Sequence, residues 1–365
     1  MEFLERIGSE YLFETWYVRI DGTIATARVF ERENFDENDR IARSTARWLG
    51  FRHPRITAVL SISPITPWLV IASGDERGPS ITHAAKQLAY AGIDERAREA
   101  WAVHEIIALA DALAAMAVHE RTRTSITAGS GPYRGHHVTS AGSFVHRRAN
   151  PEQIFVGGDG HARFRAPIEQ VHIGPIPNYL GRGPVITGLA WMSPELVRGK
   201  TLTPASDVFQ LATTLYTLLT GERLARGNGD FETLRSIIDR TESPQFHTTV
   251  PGLLEIVQRA LAIDPDARYR DPMTFADALR ALSVGEPPAA AFDIAGRQPH
   301  PAPSQSAPIV STTRCKRTWA ELAATKTDGI RFCDSCRQDV VRVSSTLALV
   351  PLLGKRCVSI DTDDN

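Results

Sequence analysis

Four cysteines, Cys315, Cys333, Cys336 and Cys357, are separated by 17, 2 and 20 residues, and the 365-residue chain holds no others. Thiolates are both metal ligands and nucleophiles, so this cluster offers distinctive chemistry. The Cys333-Asp334-Ser335-Cys336 pair has the length of a tight knuckle that directs two sulfurs at one ion. Four thiolates fit a closed tetrahedral Zn²⁺ site, structural because no position stays open for water. Zinc on Cys315, Cys333, Cys336 and Cys357 is the first reading. A redox pair at Cys333 and Cys336 is the second, since Cys-x-x-Cys also serves thiol exchange, and the two outlying cysteines count against it. Four inert buried thiols come third. A tail this short lacks the core to fold unaided, and metal binding would supply the deficit. Gln338–Val343 alternates like a strand, so the tail reads as a small β-rich ribbon. Over residues 314–357 the basic side chains outnumber the acidic ones nine to four. That leaves a nucleic-acid-binding ribbon as one alternative function, although no aromatic row or basic cluster accompanies it.

The second chemically suggestive stretch is Val145-His146-Arg147-Arg148-Ala149-Asn150-Pro151-Glu152-Gln153-Ile154-Phe155-Val156. It resembles the catalytic loop of a protein kinase, in which a His-Arg-Asp triplet precedes an Asn and a buried strand. The Asp position holds Arg148 and the Asn position holds Gln153. In the family the Asp accepts the substrate hydroxyl proton and the Asn holds a Mg²⁺. An arginine cannot do the first, and an amide with a longer side chain substitutes poorly for the second.

Motifs downstream agree with that resemblance in order and rough spacing. Trp191-Met192-Ser193-Pro194-Glu195 looks like the Ala-Pro-Glu motif that closes an activation segment. Ser206-Asp207-Val208-Phe209, followed by Leu215-Tyr216-Thr217-Leu218-Leu219-Thr220-Gly221, resembles the central helix of the large lobe. Asp264-Pro265-Asp266-Ala267-Arg268-Tyr269 matches the late motif whose arginine pairs with the Ala-Pro-Glu glutamate. With Arg52-His53-Pro54, residues 1–284 resemble the bacterial branch of the Ser/Thr protein kinases. The resemblance implies a buried Glu195–Arg268 ion pair and an Asp207 that accepts backbone N–H groups to brace His146 and Arg147.

The positions that would handle ATP depart from the family. Aligned on Ile7-Gly8, the three glycines of the phosphate-covering loop fall on Gly8, Glu10 and Phe13. Arg28 stands where the phosphate-gripping lysine belongs, and arginine keeps the charge without the compact geometry. Its usual glutamate partner falls on Ser44, and the metal-binding Asp-Phe-Gly triplet falls on Ala166-Pro167-Ile168. Phosphoryl transfer depends on positioning and on electrostatic stabilisation by metal and cations, so losing these groups together removes nearly every contribution. ATP and Mg²⁺ are therefore not expected, and Gly8 and Arg28 would touch nucleotide only if one binds.

The elements that must position these residues fall into three zones. Residues 1–284 run from strand-like to helix-like patterns, an α+β reading with a small β-rich lobe at about 1–73 and a larger helical lobe at about 74–284. Residues 285–312 are rich in Pro, Ala and Ser and read as a flexible linker, and 313–361 carry the cysteines. Residues 15–19 and 23–30 look like strands joined at Asp21-Gly22. Residues 40–49, 97–118 and 207–219 have helical spacing, and 68–72 a short strand. Residues 121–145 exceed the short connection the family needs. Their Gly129–His137 stretch, with His136-His137, reads as a solvated loop or a partner-binding insertion.

A hydrophobic share of 42%, a charged share of 23% and a net charge of −1 are ordinary for a globular chain and give no whole-chain basic footprint. The acidic start Met1-Glu2-Phe3-Leu4-Glu5 lacks a signal-peptide pattern. The apolar runs near 101–117 and 208–219 are broken by His104, Glu105, Asp111 and Gln210, so no membrane span and a cytoplasmic location are expected. The composite expectation is a bilobal pseudokinase with a zinc-binding tail, acting as a scaffold or allosteric regulator in bacterial signalling. Its partner would be a protein, such as an active kinase or its substrate, rather than a membrane or nucleic acid. The enzymatic alternative is a Ser/Thr kinase-like transferase with non-standard nucleotide binding. In it Arg28, Arg148 and Arg165 supply charge, with Asp159 and Glu169 nearby in sequence.

Overall fold

The computed structural model describes residues 1–9, 13–31, 35–65, 68–124, 144–147, 149–168, 188–288, 323–324, 330–333, 338–343 and 357–360. The chain divides into two units, Met1–Ala46 with Val59–Asp75 and Arg297–Asn365, and Arg47–Ala58 with Glu76–Gly296.

In the first unit β1 (Glu2–Ser9), β2 (Phe13–Ile20), β3 (Thr23–Glu31), β4 (Val59–Ile65) and β5 (Trp68–Ser73) form an antiparallel sheet of order β1-β2-β3-β5-β4. The β2–β3 hairpin turns on Asp21 and Gly22, both at positive φ (50° and 80°), the backbone that a tight Asp-Gly hairpin requires. Period-2 alternation puts Ala25, Ala27 and Val29 on one face, where they pack with Phe3, Trp16, Val18 and Val70. Arg28 falls on the opposite face with Thr26 and Phe30. The helix α1 (Phe35–Ala46) ends three residues before the expected residue 49. A separate four-stranded sheet of order β11-β10-β9-β8 is built from β8 (Ala323–Ala324), β9 (Ile330–Cys333), β10 (Gln338–Val343) and β11 (Cys357–Ile360). Within it β10 and β11 are parallel.

The second unit is helical: α2 (Ile81–Tyr90), α3 (Glu95–Thr124), α4 (Pro194–Val197), α5 (Pro204–Thr220), α6 (Asp230–Ile238), α7 (Leu253–Ala260) and α8 (Pro272–Arg280). A short hairpin, β6 (Ile154–Val156) and β7 (Ala162–Phe164), stands among them. α5 is buried almost throughout, which explains an apolar sequence with little amphipathic contrast. α3 corrects the expectation that no apolar run reaches spanning length: Glu95–Arg121 is long and apolar enough to cross a membrane. Its Trp101, Val103, Ile106, Leu109, Leu113 and Met116 are buried within the unit, as in a core helix. Thr274 and Asp271 cap α8 reciprocally, Thr274 N–H donating to Asp271 Oδ1 at 2.8 Å and Asp271 N–H to Thr274 Oγ1 at 3.3 Å.

Candidate functional site

The loop that resembles a catalytic loop is fastened to one face of α5. Asp207 accepts the N–H groups of His146 at 2.7 Å and Arg147 at 2.8 Å. Gln210, one turn on, accepts the Ala149 N–H at 3.0 Å and donates to the Arg147 carbonyl at 3.0 Å. Thr214, a further turn on, donates to the Ala149 carbonyl at 3.3 Å. Spacings of three and four keep these side chains on one helical stripe. The grip holds Arg147 at φ 70°, a left-handed conformation that costs a non-glycine residue about 1–3 kcal/mol unless its surroundings enforce it. Burial pushes the Asp207 carboxyl up to about 7, with the two N–H donors pulling it down. The His146 ring lies 4.9 Å from that of Phe164.

The positions that would carry chemistry are placed differently. Arg148 lies outside the described residues. Gln153 ends a 3-10 turn, Pro151–Gln153, capped by Asn150, whose side chain accepts the Glu152 N–H. The Gln153 backbone spans the hairpin, its carbonyl accepting the Arg165 N–H at 2.8 Å. Ala166 is buried and offers a methyl where a metal-binding carboxylate is expected. Its N–H donates to Glu76 Oε1 at 2.8 Å, and Arg165 Nη1 faces Glu76 Oε2 at 3.2 Å. Nothing in the sequence singled out Glu76, since Gly74-Asp75-Glu76-Arg77-Gly78 reads only as a charged turn.

Of the two carboxylates near Arg148 and Arg165 in sequence, the structure describes one. Asp159 pairs with Arg163 across the hairpin turn at 2.5 Å, and that hydrogen bond holds its carboxyl down to about 2. Asp159 thus serves as a clasp of the hairpin turn. Glu169 lies outside the described residues. Glu105, buried on α3, accepts the Ala162 N–H at 2.8 Å and pairs with Arg55 at 2.5 Å, tying the segment after His53-Pro54 to the hairpin.

In the first unit, strand register sets Gly8 and Arg28 both opposite Thr15, in one row across β1, β2 and β3. Arg28 is buried, with Ile71 on its other side. Phe13, at the expected third glycine position, is buried with its ring 5.1 Å from Phe30, so that position serves the core. Ser44 donates to the Ile41 carbonyl of its own helix at 3.0 Å. Glu10 lies outside the described residues, as do residues 125–143 with His136 and His137.

Glu195 and Arg268 form a bidentate pair at 2.8 and 2.9 Å, with side chains 5% and 0% exposed. Arg268 also donates to the carbonyls of Ala262, Ala205 and Ile263 and lies 4.8 Å from the Phe209 ring centroid. Burial raises the Glu195 carboxyl, but the Arg268 hydrogen bonds and charge outweigh it and hold it below its ordinary value. In the tail, Cys333 ends β9 opposite Gln338, and Cys357 begins β11 opposite Val340, two residues along β10. Cys315 and Cys336 lie outside the described residues. Among the described residues, no group of three or more His, Cys, Asp or Glu could hold a metal.

Residues 174–277 match the family described as protein tyrosine and serine/threonine kinase. The chain is 28% identical over 173 residues to the serine/threonine-protein kinase PknA of Mycobacterium tuberculosis, covering 47% of this chain and 37% of that protein. It is 28% identical over 185 residues to the serine/threonine-protein kinases drp72 of Corynebacterium efficiens, covering 50% and 35%. To PknL of M. tuberculosis it is 28% identical over 143 residues, covering 38% and 35%. The matches thus span little more than a third of those relatives. A sheet-rich region followed by a helical region, with the Glu195–Arg268 and Asp207 contacts in place, fits a kinase-like domain.

Proposed function

We propose that this chain, similar to bacterial serine/threonine protein kinases, works without phosphoryl transfer, as a scaffold or allosteric regulator in signalling. One observation carries the reading. At Ala166 a methyl replaces the expected metal carboxylate, and the neighbouring carboxylate, Glu76, is engaged by the Ala166 amide and by Arg165. Gln153 and Ser44 weaken the site further, the first as a substitute metal ligand and the second as a partner for Arg28. The loop is nevertheless held in strained geometry by Asp207, which supports a role for its shape rather than its chemistry. The partner class is a protein, such as an active kinase or its substrate.

Calorimetric titration with ATP, with and without Mg²⁺, and phosphate transfer to a generic protein substrate test this reading. No heat and no transfer are expected. Mg²⁺-dependent micromolar binding with transfer would refute it and establish the second reading, a phosphotransferase with non-standard nucleotide binding, which the similarity to named kinases favours. The tail is proposed as a structural zinc module on Cys315, Cys333, Cys336 and Cys357. The four-cysteine spacing with its Cys333-Asp334-Ser335-Cys336 pair supports it. Elemental analysis of the full chain should find one zinc per chain, and a metal-free chain would refute the module.

A further inference from the structure

Glu76 follows β5 by three residues, and its side chain is 1% exposed. It accepts the Ala166 N–H at 2.8 Å through one oxygen and faces Arg165 at 3.2 Å through the other. Arg165 reaches the Glu76 and Glu152 carbonyls only at 3.4 Å, keeps 27% of its side chain exposed, and lies 5.4 Å from the Phe155 ring centroid. A backbone N–H and a guanidinium converging on one carboxylate have the donor set of an anion site. The carboxylate is delivered by a clamped segment. Val156 N–H donates to the Pro79 carbonyl at 2.9 Å, and Ser80 bridges Phe155. Gly78 lies so close to β6 that a Cβ there would sit 2.1 Å from the Val156 carbonyl oxygen.

We propose that Arg165 and the Ala166 amide form a binding site for a phosphate-bearing ligand, and that Glu76 is its built-in occupant. The fork of a guanidinium beside an N–H suits phosphate oxygens as well as carboxylate oxygens. The long Arg165 contacts leave donor capacity facing solvent, so the site is filled but not saturated. An ionised Glu76 repels an incoming phosphate and satisfies the donors that would bind it. The proposal rests on the non-catalytic reading, because a nucleotide phosphate approaching Ala166 meets this carboxylate.

The test uses the full chain, with inorganic pyrophosphate as the probe and chloride at matched ionic strength as the control. Thermal unfolding is followed for the wild type, Glu76→Ala, Glu76→Gln and the double variant Glu76→Ala/Arg165→Ala. Glu76→Ala should unfold at lower temperature and be restored by pyrophosphate or acetate, which refill the vacated place. Neither anion should restore the double variant. Glu76→Gln keeps the volume and an oxygen for the Ala166 N–H while removing the repelling charge. It should bind pyrophosphate about tenfold more tightly than the wild type, the worth of one charge-assisted hydrogen bond. Equal pyrophosphate affinity in the wild type and Glu76→Gln would overturn the proposal, even if Glu76→Ala fails to fold. A folded Glu76→Ala that ignores both anions would also overturn it. Phosphate transfer by the wild type refutes the non-catalytic reading instead, so the two failures are told apart.

Discussion

Replacing Arg268 by alanine removes the donor that holds five acceptors together. Glu195, 5% exposed, loses both of its guanidinium bonds, and the carbonyls of Ala205, Ala262 and Ile263 each lose one. Stranding a buried charge by deleting its partner costs about 3–5 kcal/mol. Carbonyls that stay dry would add about 1 kcal/mol or more each, but the space left by the side chain admits water, which limits that addition. We therefore expect a loss of about 4–5 kcal/mol, a large part of the roughly 5–15 kcal/mol that stabilises a domain. Urea unfolding followed by far-UV circular dichroism and tryptophan fluorescence reads the change as a lower midpoint at constant slope. Replacing both partners, as Glu195→Leu with Arg268→Met, should recover much of the loss, because a buried pair contributes little beyond an apolar equivalent of its volume. A loss below about 1 kcal/mol for Arg268→Ala, the scale of an exposed pair, would show instead that Glu195 is solvated in solution.

Further predictions concern acidity and close packing. The Glu195 carboxyl titrates below its ordinary value in the folded chain, so its stabilising contribution is complete above pH 4.5 and is lost as the pH falls through the folded value. The stability gap between the wild type and Glu195→Gln should therefore close on acidification, and a gap unchanged down to pH 3 would contradict the pairing. Asp207 has the opposite sign. Its carboxyl is raised from 3.8 to about 7, so its contribution is complete below 3.8 and is lost as the pH rises through 7. The gap between the wild type and Asp207→Asn should be widest near pH 4 and narrow towards pH 8, and a gap that widens over that range would show the carboxylate to be better solvated than its burial implies. Gly78→Ala should cost about 2 kcal/mol or more, because its Cβ meets the Val156 carbonyl. Gly50→Ala, with φ +82° and open space around it, should cost only the left-handed backbone strain of about 1 kcal/mol. Equal midpoints for the two variants would refute the close approach.

Sequence patterns located elements wherever one periodicity prevailed. Residues 207–219 lie within α5, Gln338–Val343 is β10, and Asp21-Gly22 turns the first hairpin. β1 and β4 were not legible, because Glu2, Glu5 and Arg6 break the apolar alternation of one and Pro64 interrupts the other. α1 stops short of residue 49 for a tertiary reason. Trp48 and Phe51 leave the helical pattern to pack with His119, whose Nε2 lies 2.9 Å from the Arg47 carbonyl oxygen.

Order and spacing along the chain were enough to place the residue types at each motif position: Glu195 and Arg268, Asp207 in the first turn of its helix, and Ala166, Gln153 and Ser44 where other groups are expected. Each implied contact joins two recognisable motifs. What occupies the altered positions was settled by packing in three dimensions. Glu76 meets Ala166 from 90 residues away, Phe13 fills the core beside Phe30, and Asp159 clasps Arg163. A buried donor must find an acceptor, and a buried ring must find a neighbour. Which one it finds depends on how the backbone elements pack, and no residue spacing along the chain encodes that.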